Sequence, residues 1–133
     1  MIQTITKEWE ITQTYIFDVV MRDGLIKLDW DDFRNFAETH RPKIAVKVEE
    51  DLPISGLVEC AMREIEKYCL GRLASFIVSI SYKRDDEIMM DEINGLSESL
   101  ASIADKDIEI KWGLSPNDNV KYRRSLCIFV FEK

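Results

Sequence analysis

Glycine is scarce in this 133-residue chain: five occur, at positions 24, 56, 71, 95 and 113, and the closest two are fifteen apart. Dinucleotide fingerprints and P-loops cluster two or three glycines within about six residues, because backbone must approach phosphate closely. No such cradle can form here. Histidine occurs once, as His40, too little for a conventional zinc site or a Ser or Cys triad. The longest uninterrupted apolar run, Leu126 to Phe131, is far below the roughly 18 residues a membrane span requires. Met1 to Glu10 lacks the basic region and apolar stretch of a signal peptide. Basic residues are outnumbered, 18 against 25 acidic, and the net charge of −7 is the wrong sign for a partner of nucleic acid. Only eight positions are glycine or proline, which excludes disordered and collagen-like classes. The remaining reading is a cytoplasmic protein, with no nucleic acid partner and no direct membrane binding, and its length suits a single domain over 1–133.

Three cysteines are present. Cys60 and Cys69, nine positions apart on one expected helix, fall on opposite faces roughly 13 Å apart along its axis and cannot pair. With Cys127 in an apolar strand pattern, three buried thiols are expected.

The apolar periodicity divides the chain. Residues 4–22 fit both a helical stripe and a strand alternation, and the helix is favoured. A short helix carrying Trp30, Phe33, Phe36 and Ala37 on one face follows, stopped by Pro42. Ile44, Val46 and Val48 alternate as a half-buried strand. Pro53 suits the first turn of a helix bearing Leu57, Val58, Ala61, Met62 and Ile65, with Gly71 as its stop. Phe76, Val78, Ile80 and Tyr82 mark a second strand, and Asp85-Asp86-Glu87 place negative charge at the start of a helix through Met89, Ile93, Leu96 and Leu100. Ile108, Ile110 and Trp112 mark a third strand, Ser115 to Asp118 a turn, and 121–131 a last strand, apolar on both faces and so interior to its sheet. The expected fold is α+β, a two-layer α/β sandwich: two N-terminal helices, then β-α-β-α-β-β with a mixed four-stranded sheet, parallel crossovers and a final reversal.

Read from the residues alone, Asp29 is a helix N-cap and Asp32, three residues later, favours the helix dipole. A calcium loop starting at Asp29 fails, since Arg34 stands where glycine is wanted. Lys121-Tyr122-Arg123-Arg124 reads as the solvated start of a strand rather than an anion patch, and Trp9, Trp30 and Trp112 as core; an exposed Trp30 would instead mark a contact surface beside the acids.

The segment Gly24-Leu25-Ile26-Lys27-Leu28-Asp29-Trp30-Asp31-Asp32-Phe33 resembles the loop that opens the C-terminal half of the bacterial cell-division tubulin FtsZ. There the pattern is Gly-Leu/Ile-x-Asn-hydrophobic-Asp-Phe-Ala-Asp-Val. The element order from Trp30 to Phe131 is similar too, and Ile108 to Ser115 resembles the family's penultimate strand ending in glycine. The resemblance implies a tubulin/FtsZ C-terminal-like domain over roughly 10–131, with 1–23 standing in for the central helix, 24–133 as the core domain and no GTP-binding half.

In that family the loop enters the next subunit's nucleotide pocket, and its two carboxylates position water and cation for attack on the γ-phosphate. Carried over, Asp29 and Asp32 are candidates for such action in trans, and Leu25, Lys27, Asp29, Trp30, Asp31 and Asp32 are the candidate partner-binding residues. Lys27 stands where the family has asparagine, and Asp31 where it has alanine. A lysine cannot accept a hydrogen bond as an amide oxygen does, though it can pair with Asp29 or Asp31 or meet a phosphate. The implied function is a protein-interaction and assembly module for an FtsZ-like GTPase, or for self-association. The chain would not be an enzyme alone, with no catalytic residue of its own, no cofactor and no metal. The alternative is a small-ligand-binding regulatory domain or small enzyme on the same scaffold, which fold alone permits.

Overall fold

In the computed structural model the described residues are 1–21, 26–68, 73–103, 108–118 and 121–133. The elements are β1 (Ile2–Ile5), α1 (Glu8–Tyr15) continuing into a π-helical turn (Ile16–Val20), α2 (Trp30–Thr39), β2 (Arg41–Val48), α3 (Ile54–Tyr68), β3 (Leu73–Tyr82), α4 (Met90–Ile103), β4 (Glu109–Pro116) and β5 (Arg124–Glu132). The fold is α+β, as the periodicity indicates, with four helices on a mixed sheet. That sheet has five strands, not four, in the order β1-β2-β5-β3-β4.

The extra strand corrects the reading of 4–22 as helix throughout. Ile2 to Ile5 is β-rich in composition and pairs antiparallel with β2, so the helix begins only at Glu8. Of its apolar residues, Ile11, Tyr15 and Val19 are buried at four-residue spacing, while Trp9 and Phe17 point to solvent. Trp9 is therefore not core.

β5 lies in the middle, antiparallel to both β2 and β3, and β3 runs parallel to β4. Leu126 to Phe131 is buried on both faces because β5 has a neighbour on each side and helices above and below. Its alternation divides the core. Leu126, Ile128 and Val130 pack with Ile44, Val46, Phe76 and Val78 beneath α3 and α4, which cover one face of the sheet. Cys127, Phe129 and Phe131 face Ile11, Tyr15, Phe33 and Phe36 of α1 and α2, which cover the opposite face.

Three boundaries differ from expectation. α2 ends at Thr39, and Pro42 sits inside β2 beside a register irregularity, the placement that a missing N–H tolerates. β4 continues through Ser115 and Pro116, which pair with Ser81 and Tyr82. Asp85, Asp86 and Glu87 precede α4 in a turn, and the acids in its first turn are Asp91 and Glu92. Gly71 and Cys69 lie outside the described residues. No helix among the described residues is long and apolar enough to cross a membrane.

Candidate functional site

The segment entering α2 is held at several points. Ile26 pairs with Leu114 of β4 in an isolated antiparallel bridge, its N–H donating to the Leu114 carbonyl at 3.3 Å and the Leu114 N–H donating back at 2.9 Å. Leu28 is buried among Tyr15, Val19 and Phe33. Gly113 makes this approach possible: a Cβ there would lie 2.7 Å from the Ile26 carbonyl oxygen and 2.7 Å from Leu28 Cγ. The void left between Leu28, Val19, Ser79 and Gly113 is only about 10 Å³.

At Asp29 the chain turns into α2 through a capping box. The Asp32 N–H donates to Asp29 Oδ1 at 3.2 Å and the Asp29 N–H donates to Asp32 Oδ2 at 2.9 Å, so two otherwise orphaned backbone donors are satisfied reciprocally. The Tyr15 hydroxyl donates to the Asp29 carbonyl at 2.8 Å, and Lys111 Nζ of β4 meets the remaining Asp32 oxygen at 3.2 Å. Lys111 also lies 5.0 Å from the Phe36 ring centroid. Burial, reinforced by the negative charge of Asp32 and Asp29, holds the Tyr15 phenol well above its ordinary pKa, so it stays a donor.

The candidate residues thus divide. Asp29 and Asp32 come together, but with both Asp32 oxygens and Asp29 Oδ1 committed to backbone and to Lys111. Asp31 points away and pairs with Arg34 at 3.0 Å. Lys27 is exposed and makes no ion pair among the described residues, neither with Asp29 nor with Asp31. Trp30 is 38% exposed, stacked on Phe33 with ring centroids 5.4 Å apart, and so does not belong to the core. Leu25 lies outside the described residues. Tyr15, Leu28, Lys111 and Gly113, which set the geometry, were not singled out for it by the sequence reading. The usable signal was the glycine in β4, since a strand interior carries glycine where another backbone comes close.

Two other polar groupings occur. Arg124, expected to be solvated, is 2% exposed. Its Nε and Nη2 each donate at 3.0 Å to the two Glu92 oxygens, Nη1 donates to the Asp86 and Arg123 carbonyls, and Nη2 also to the Glu87 carbonyl. Arg123 pairs with the Asp86 carboxylate. These two cations are neutralised within the fold and form no anion patch. On the opposite sheet face, a cleft of about 130 Å³ is lined by Asp18, Lys47, Ser79, Ser125 and Cys127 among others, with Lys47 Nζ 2.7 Å from Asp18. Burial pushes the Cys127 thiol up to about 12, which leaves it protonated and poorly nucleophilic. Cys60 is half-buried rather than buried.

No protein-family model matches the chain, and no curated protein matches it either.

Proposed function

We propose that this chain is a protein-interaction and assembly module of the FtsZ/tubulin C-terminal kind, docking through residues 25–32 onto the nucleotide face of an FtsZ-like GTPase and having no activity alone. The observation that carries the reading is the tethering of this segment. The Ile26–Leu114 bridge, buried Leu28, the Tyr15 bond and the Asp32–Lys111 pair fix a short turn on which Lys27, Trp30 and Asp31 are exposed. A turn already held in place loses little conformational entropy on binding, and a half-exposed tryptophan beside charged residues has the composition of an interface anchor.

The geometry favours binding over chemistry in trans. Asp32 would have to share its Lys111-bound oxygen to position a water, and Lys27 lacks the acceptor that the family's asparagine offers there. In this reading Asp29 and Asp32 are chiefly positioning residues that shape the turn, and the partner supplies the nucleotide. The cytoplasm is the compartment proposed for such an encounter, in keeping with the free thiols Cys60 and Cys127.

The test is nucleotide turnover and polymer pelleting of an FtsZ-like GTPase with and without this chain. Co-pelleting and altered turnover are expected, both weakened at least tenfold by Trp30→Ala in protein that stays folded at the assay temperature by circular dichroism. No binding and no change in rate would sink the proposal.

A further inference from the structure

The two edges of the sheet are finished differently. At β4 the outer side is partly occupied by Ile26, and Glu109 and Lys111 place charges along it. β1 is protected only by being short: Ile2-Gln3-Thr4-Ile5 has no charge and no proline, and its register against β2 is unbroken from Ile2↔Val48 to Ile5↔Ala45.

Which backbone groups face outward follows from one hydrogen bond. The Glu49 N–H donates to the Met1 carbonyl at 2.9 Å, so Met1 and Glu49 form a hydrogen-bonded pair. Antiparallel ladders alternate, which makes Gln3/Lys47 and Ile5/Ala45 hydrogen-bonded pairs as well. The N–H and C=O of Ile2 and Thr4 therefore point away from the sheet, a two-residue row that another strand can satisfy.

The occupant that this row fits is itself. A two-fold axis through Gln3 sets Ile2 opposite Thr4 of a second copy and Thr4 opposite Ile2, closing four backbone hydrogen bonds with no like charges in register; such isologous pairing is self-complementary by construction. Beside the edge, on the α1 side, an open and largely polar groove of about 460 Å³ is lined by Gln3, Ile5, Glu10, Gln13, Phe17 and Asp18, and Phe17 is 62% exposed. The same axis brings the two grooves side by side, so the apolar part that a second copy could cover is the exposed Phe17 ring, while Glu10 and Asp18 keep the rest of the groove hydrated.

We propose that β1 is a dimerisation edge, through which two copies of this chain join their five-stranded sheets into one, antiparallel about Gln3. This surface is separate from the turn at 25–32 and stands or falls without it.

Sedimentation equilibrium over about 1 µM to about 1 mM protein spans the affinities expected of so small an interface. The wild type should pass from monomer to dimer within that range. Thr4→Pro deletes one outward N–H while leaving the inner ladder intact, and should weaken association at least tenfold. Thr4→Val, which loses only the hydroxyl bond to Glu64, should still dimerise. Trp30→Ala should dimerise like the wild type whatever it does to partner binding. Gln3→Cys places two thiols at the closest, non-hydrogen-bonded pair, and mild oxidation should give a covalent dimer well above the wild-type background. A wild type that stays monomeric throughout, a dimer indifferent to Thr4→Pro, or a Gln3→Cys variant that does not cross-link above background would overturn the proposal.

Discussion

Helices α2 and α4 begin with the same device and put it to different ends. In each, the third helical residue is an acid that accepts the N–H of the residue before the helix: Asp32 from Asp29 at 2.9 Å, Glu92 from Met89 at 2.9 Å. In each, that acid also meets a cation on a neighbouring strand, Lys111 of β4 or Arg124 of β5. The cations differ. Arg124 is sealed and uses its planar fork on one carboxylate and three carbonyls; Lys111 is about a third exposed and makes one ion pair with its flexible ammonium. A sealed helix start can only hold the fold together. A half-open one keeps its turn in shape while leaving Trp30 and Lys27 at the surface, which is what a docking element requires.

The comparison breaks most visibly at Arg124. Arg124→Met keeps the volume but leaves Glu92 with only the more distant Arg123 for a cation and the Asp86 and Glu87 carbonyls without their donor, and should cost about 3–5 kcal/mol in chemical denaturation. A matching Glu92→Leu on that background should recover part of the loss, because the stranded carboxylate is then gone. The pH dependence has a definite sign. Burial alone would push Glu92 up, but the Arg124 and Met89 bonds and the charges of Arg124 and Arg123 outweigh it, and the net direction is down. A depressed folded-state pKa stabilises above the unfolded value and is lost as protons bind the native carboxylate. Wild-type stability should therefore fall as pH drops from about 4.5, the ordinary glutamate value, and Arg124→Met should flatten that fall. A pH profile identical in both proteins would mean that the pair does not carry this linkage.

The open helix start depends on a different residue, Gly113. A methyl group there meets backbone as well as side chain, and the Ile26 carbonyl cannot yield without giving up its bond from Leu114. Gly113→Ala should cost about 1–3 kcal/mol and shift Trp30 fluorescence as the turn moves. An unchanged emission spectrum with unchanged stability would show that β4 does not position the turn.

How much of this was legible beforehand differs between the two regions as well. The central placement of β5 follows from six apolar residues in a row, and the N-cap at Asp29 from its place before the helix; that Asp32 caps in return, rather than only favouring the dipole, is visible only in the structure. The burial of Arg124 was also written in the pattern, since 124, 126, 128 and 130 share one face and Leu126, Ile128 and Val130 are core. The charge at 124 masks that alternation, because nothing local reveals that Glu92, 32 residues away in the first turn of α4, lies against it. Lys111 and Tyr15 were hidden for the same reason: their contacts to Asp32 and Asp29 join segments that only the tertiary fold brings together. β1 was missed because four residues satisfy a helical stripe as easily as an alternation, and the edge of β2 decided between them.

The smallest expected effect is the sharpest discriminator between the two helix starts. Lys111→Met retains an apolar stem and removes the ammonium that pairs with Asp32 and lies over the Phe36 ring, while the other Asp32 oxygen keeps the Asp29 N–H. At about a third exposure the surrounding water already weakens that pair, so the loss should be at most about 1 kcal/mol and should shrink in about 1 M salt, where charges more than about 3 Å apart are screened. The deficit of Arg124→Met should be nearly indifferent to the same salt, because ions do not reach a guanidinium 2% exposed. If Lys111→Met instead costs as much as Arg124→Met, and as insensitively to salt, then α2 begins as rigidly as α4. The turn at Trp30 would then be a structural clamp rather than a surface left open for a partner.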